Sequence, residues 1–132
     1  MKGFVDNIGS LSMENGNFRQ VLYTGHHSQL VLMSLKPGEE IGEEIHEDTD
    51  QFFRFEGGRG KVVIDGAEHL IEAEFAVVVP AGAKHNVINT SPTEALKMYT
   101  IYSPAHHRNS VVHATKQIAE ADNESFDGVT SE

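Results

Sequence analysis

An all-β fold, a sandwich or barrel of short strands, is predicted by three features of this sequence. Short segments rich in β-formers recur along most of its 132 residues. Turn residues punctuate them, and twelve glycines suit a turn-rich chain better than a helical bundle. Asp65-Gly66, between VVI and AEHLIEA, is a hairpin signal, since Asp-Gly supplies the positive φ of a type I′ turn.

Taken in order, the first fifteen residues are ambiguous: a short edge strand over 4–8 is expected, then a polar loop. FRQVLYT (18–24) and QLVLMSL (29–35) read as strands, separated by the turn Gly25-His26-His27-Ser28 and ended by Pro37-Gly38. Further strands are expected at 41–46, 51–56, 61–65, 68–72, 76–79, 84–89 and 95–102. Gly57-Gly58, Pro80-Ala81-Gly82 and Ser91-Pro92 mark turns between them. Thr115 is placed to cap a short helix through about Ala121, with Lys116 and Glu120 spaced as an i,i+4 pair. The acidic DNESFDGVTSE beyond it is expected to fray. The division that results is a barrel domain over 1–113, then a short helix and flexible acidic tail over 114–132. There is no internal repeat.

Twenty acidic residues against ten basic give a formal charge of −10, which disfavours nucleic acid and anionic membranes as partners. The opening residues lack the apolar run of a secretion signal, and no stretch is long enough to span a bilayer. A cytoplasmic location is therefore the expectation. With no cysteine, any metal must be held by His, carboxylate or amide groups.

On a strand, residues two apart share a face. Glu44 and His46 therefore point one way and Glu43 and Ile45 the other. Gln51 falls with Phe53 and Phe55, and His85 with Val87 and Asn89. With Lys97 outward, Leu96, Met98, Thr100 and Tyr102 turn inward. Parity alone does not show that the strands carrying Glu44, His46, Gln51 and His85 converge.

The spacing of these residues resembles that of the cupin superfamily. Its first motif runs Gly, five residues, His, one, His, four, Glu, six, Gly. Here Gly38, Glu44, His46, Gln51 and Gly58 stand at that spacing. The second runs Gly, five residues, Pro-x-Gly, two, His, three, Asn. Pro80, Gly82, His85 and Asn89 match, with Glu74 where the leading Gly belongs. The resemblance covers about residues 29–102 and implies a double-stranded β-helix, a jelly-roll barrel, with a short C-terminal helix. It also implies one divalent metal ion on Glu44, His46, Gln51 and His85. One imidazole of the usual set is replaced by a carboxylate, and the usual carboxylate by an amide, so ligand charge stays at −1. Two imidazoles and a carboxylate suit Mn, Fe, Ni, Co or Zn. The other reading is a lapsed metal site, with Glu44 and His46 as an ion pair and Gln51 hydrogen-bonded inside the barrel.

Small cupins similar to this chain are often described as mannose-6-phosphate isomerase-like. The function implied is a metal-dependent enzyme, isomerase-like or dioxygenase-like, on a small polar molecule, with Glu44 as catalytic base. The alternative is a non-catalytic module that binds a small molecule or a metal. A homodimer is implied by the same resemblance, with the outward Phe52 pointing the same way. Phe53, Phe55, Met33, Met98 and Tyr102 are expected to wall the pocket. Asp50 is the alternative ligand if the register slips by one. His106, His107 and His113 are expected at the surface, unless the segment after the last strand folds across the barrel mouth. No Arg or Lys between the motifs points inward: Arg54 and Lys84 fall on outward parity, leaving Arg59, Lys61 and Arg108 as weak anion-binding candidates.

Overall fold

The computed structural model describes all 132 residues. Ten strands follow one N-terminal helix. After α1 (Ile8–Glu14) come β1 (Arg19–Thr24), β2 (Gln29–Leu35), β3 (Glu44–Ile45), β4 (Asp50–Gly57) and β5 (Arg59–Ile64). Next are β6 (Ala67–Glu72), β7 (Ala76–Val79), β8 (Lys84–Asn89), β9 (Leu96–Ser103) and β10 (Val112–His113), before α2 (Lys116–Ala121). A six-stranded sheet, ordered β10-β1-β2-β9-β4-β7, packs on a four-stranded sheet, ordered β3-β8-β5-β6. Every pairing is antiparallel. This is the predicted jelly-roll architecture.

Alternation explains the core. On β4, Gln51, Phe53 and Phe55 are buried. On β9, Leu96, Met98, Thr100 and Tyr102 are buried and Lys97 is not. The inward apolar residues of both sheets meet in one cluster that includes Val31, Met33, Phe53, Val62, Val87 and Met98. Asp65 (φ 46°) and Gly66 (φ 84°) form the expected two-residue hairpin between β5 and β6.

Three expectations need correction. Residues 4–7 form no strand and 8–14 form a helix, in place of the expected edge strand over 4–8 and polar loop: the Asn7 side chain accepts from Ser10 N–H, so a cap decides the conformation. The helix lies over the outer face of the six-stranded sheet, where it covers the otherwise outward Leu32, 2% exposed. The strand expected at 41–46 shrinks to β3, preceded by an isolated bridge from Glu40 to Ile88. β10, absent from the sequence reading, adds an edge beside β1. The helix cap at Thr115 is as expected, accepting from Ile118 N–H. The acidic residues that follow run along the barrel. Ser131 N–H donates to Thr24 O, and the Glu132 carboxylate accepts from the N–H groups of Lys2 and Gly3 and from Tyr23 O–H.

Candidate metal centre

Glu44 and His85 face each other across the β3–β8 pair. His46, two residues past Glu44, returns to the same side of the chain. Its backbone carbonyl accepts from Gly82 N–H at 2.8 Å, which ties it to the Pro80-Ala81-Gly82 turn just before His85. Gln51 enters from the other sheet, on β4, flanked by Val79 and Tyr102. One donor atom from each of Glu44, His46 and His85 lies within 4.8 Å of the other two. His46, Gln51 and His85 are buried, and Glu44 keeps 32% of its side chain exposed.

The hydrogen bonds around these groups fix where their lone pairs point. Gln51 Nε2 donates to Thr100 Oγ1 at 3.0 Å, leaving Oε1 toward His85. His85 Nδ1 is 3.1 Å from Ala83 O, which can only accept, so the network assigns the proton to Nδ1. Its Nε2 lone pair then faces Gln51 Oε1, another acceptor, at 3.2 Å. His46 Nε2 is buried 2.9 Å from Glu44 Oε2, at ion-pair distance but without hydrogen-bond direction, and has no other partner. Two acceptors, His85 Nε2 and Gln51 Oε1, thus face each other, and Glu44 and His46 bring two more potential ligand atoms to the same space. A cation relieves that arrangement, and an Nδ1–H held by a carbonyl is the usual support of a ligating imidazole. The residues present therefore fit a divalent ion. Burial raises the Glu44 carboxyl, but His46, Arg19 and His85 outweigh it and hold the group below its ordinary value.

Asp50 is exposed and accepts from Ala81 N–H, so the register has not slipped. Met33, Phe53, Phe55 and Met98 lie in the packed core, at most 1% exposed. Tyr102 adjoins the centre, its ring 5.8 Å from that of His46. Asn89 of the second motif is structural: its amide donates to the carbonyls of Leu35, Lys36 and Glu94 and accepts from Ser91 N–H.

The surface placement expected for His106, His107 and His113 is overturned. His107 and His113 are 5% and 2% exposed, and the half-buried His106 ring lies 4.3 Å from that of His46. The cause is a clamp that the sequence reading missed. Gln29, fully buried on β2, accepts from the N–H groups of His106 and His107 and donates to His107 O and Thr24 Oγ1. His107 Nδ1 donates to Glu124 Oε1 at 2.5 Å, and Tyr102 O–H donates to His107 Nε2 at 3.2 Å. Burial, reinforced by His107 and His46, pushes His106 down to about 4. Burial also lowers His107 and raises Tyr102, so both are neutral near pH 7. The Glu124 carboxyl resists its burial because His107 and Arg108 N–H donate to it, and it falls to about 2.

Arg19 was also missed. It opens β1 on the inward face, is 7% exposed, and with Glu44, His107 and Glu124 lines a cavity of about 200 Å³. The available signal was a polar residue at a core-parity position, Arg19 beside Val21 and Gln29 beside Val31.

A family model for the cupin domain matches residues 31–102. An uncharacterized Bacillus subtilis protein, YrkC, is 48% identical over 126 residues, spanning 91% of this chain and 67% of its own. An uncharacterized protein of Acanthamoeba polyphaga mimivirus is 44% identical over 108 residues, 79% of this chain and 67% of its own. The crystal structure of BH2720 from Bacillus halodurans superimposes with a TM-score of 0.89 at 42% identity, covering 92% of this chain and 96% of that one.

Proposed function

This chain belongs to the cupin family, and from that premise we propose that its barrel holds one divalent metal ion and acts on a small polar molecule beside it. Glu44, His46 and His85 are the ligands, with the Gln51 amide oxygen as a weaker fourth. The observation that carries this reading is the convergence of Glu44, His46 and His85 within 4.8 Å, with the His85 Nε2 lone pair facing a second acceptor, Gln51 Oε1. Uncompensated buried acceptors are costly, and a lapsed site would have been free to pair them.

When bound, the metal supplies Lewis-acid polarisation of a carbonyl or hydroxyl oxygen. The protein's own residues do the rest. Ala83 O and Thr100 Oγ1 hold His85 and Gln51 in orientation, and the ring of His106 narrows the opening beside His46. Glu44, the most exposed of the ligand set, is the residue assigned to accept a proton from the bound molecule; its Oε1 carries no hydrogen bond. That carboxylate serves isomerase-like proton transfer, while two imidazoles and a carboxylate equally compose the ligand set of dioxygenase-like chemistry. The second reading, a non-catalytic module that binds a metal or small molecule, is favoured by the neutral Gln51 in the carboxylate position, since an amide weakens a catalytic ion's hold.

Elemental analysis of protein purified without added metal, set beside Glu44→Ala and His46→Ala, tests the metal assignment. One equivalent of transition metal is expected in the wild type and far less in both variants. A wild type that takes up none at micromolar metal would sink the assignment. Deuterium exchange into mannose 6-phosphate by loaded protein separates isomerase-like turnover from binding alone. We also propose that two copies pair through the free edges of β6 and β7, where Leu70, Phe75 and Val78 are exposed. A cytoplasmic setting accords with the absence of cysteine, and the charge of −10 accords with partners other than nucleic acid or membrane. No helix is long and apolar enough to cross a membrane.

A further inference from the structure

Arg19 is a buried cation whose charge reaches the Glu44 and Glu124 carboxylates but which forms an ion pair with neither. No carboxylate lies within 4.0 Å of its guanidinium. Its Nε is buried and has no hydrogen-bond partner. Its Nη1 reaches His113 Nδ1 at 3.2 Å, and since a guanidinium can only donate, that nitrogen accepts. His113 Nε2–H is then turned to Asp122 Oδ2 at 3.0 Å. The remaining contact is with the Phe18 ring, 5.2 Å below the guanidinium. The guanidinium thus touches an aromatic face and an imidazole nitrogen, neither of which carries a negative charge.

The acids nearby are committed elsewhere. Glu124 accepts from His107 and from Arg108 N–H, Asp122 pairs with His113, and Glu120 lies 3.8 Å from Lys116 Nζ. Leaving a buried charge unpaired is expensive, and the usual remedy is an oxyanion matched to the guanidinium fork. The cavity provides room for one. Arg19, Lys116 and Glu44 of the metal centre line it, together with Glu120, Asp122 and Glu124. Its volume of about 200 Å³ is below the ~300–1,000 Å³ of ordinary ligand pockets, which restricts the occupant to a small molecule.

We propose that Arg19 is a ligand-recognition residue that binds the carboxylate or phosphate of a small anionic molecule whose other end lies at Glu44. This deepens the metal-site reading by naming the substrate class, and it rests on that reading for the position of the second end. The anion contact itself does not require the metal.

Calorimetric titrations of wild type, Arg19→Gln and Arg19→Lys, each metal-free and zinc-loaded, test it with glycolate, inorganic phosphate and the neutral isostere glycolamide. Saturable binding of glycolate or phosphate is expected at millimolar concentration, with glycolamide weaker, and the stronger of the two anions identifies the group. Arg19→Gln should weaken the anion by roughly tenfold or more, in keeping with a charge-assisted bidentate pair. Arg19→Lys, which keeps the charge but loses the fork, should fall between and serves if the Gln variant does not fold. Zinc content of the same samples reads the metal assignment separately, so Arg19-dependent anion binding by a protein that takes up no zinc upholds this proposal and sinks the other. No saturable anion binding, equal binding of glycolamide, or unchanged affinity in Arg19→Gln and Arg19→Lys would each overturn it.

Discussion

Glu74 sits in left-handed backbone, at φ 76°, with its side chain in solvent. Its N–H donates to Phe55 O and the next residue's carbonyl accepts from Phe55 N–H, so the turn into β7 depends on that conformation. A left-handed L residue costs ~1–2 kcal/mol, which glycine avoids at the expense of ~0.4–1 kcal/mol of unfolded-state entropy. Glu74→Gly is therefore expected to stabilise the protein by up to about 1 kcal/mol, read as a raised Tm. An unchanged or lowered Tm would contradict the strain. Gly58 (φ 88°) is the opposite case: an added Cβ would collide with the backbone of Ala95 and Leu96, which cannot give way. Gly58→Ala should cost about 2 kcal/mol or more in denaturant unfolding. Both residues stand at motif glycine positions, and the structure explains why glycine is wanted at each. Parity was enough to place Gln51, His85 and Tyr102 inward. It was equally able to place Arg19 and Gln29, whose polarity drew attention away from their position.

The segment after β9 is held over the barrel mouth by two carboxylates and one amide, and α2 is part of that closure. Glu124 is the pH-sensitive member. Its folded value of about 2 lies below its ordinary 4.5, so its contribution is fully present above pH 4.5 and is lost as pH falls toward about 2. Amide hydrogen exchange at Arg108 and Phe126, whose N–H groups bond Glu124 and His106 O, should accelerate through that window before the barrel strands open. Glu124→Gln should show fast exchange at Arg108 already at neutral pH. A pH profile identical in the two proteins would rule out the carboxylate as the latch. The cap at Thr115 and the Lys116–Glu120 pair made α2 legible in sequence. The core residues against which its Ala119 packs, far away in sequence, left no local trace.

For the molecule as a whole, metal binding to the folded state alone must raise stability. With free metal at one hundred times Kd the gain is about 2.7 kcal/mol, and roughly 8–10 °C in Tm for a domain of this size. The shift should vanish in His46→Ala. Association is a separate matter. Leu70 and Val78 are 80% and 65% exposed on strands at the open edges of the two sheets. An apolar, unpaired edge is the feature that pairing with a second chain removes. Light scattering should give a dimer for the wild type and a monomer for Leu70→Glu/Val78→Glu. A monomeric wild type would count against the pairing.

The resemblance to cupins implied that Glu44, His46, Gln51 and His85 meet in one barrel; the sequence by itself determined most of the strands, the Asp65-Gly66 hairpin and the inward faces. These follow from periods and turns, which are local properties of the chain. Only the tertiary structure decided that His106 and His107 lie beside the site, and that Arg19 and Glu44 line one cavity. Each of those depends on contacts between segments far apart in sequence: Gln29 with the backbone of His106 and His107, Glu124 with His107, and Arg19 with His113. Such contacts are fixed by how the sheets close, and a one-dimensional pattern carries no record of which polar residues will meet.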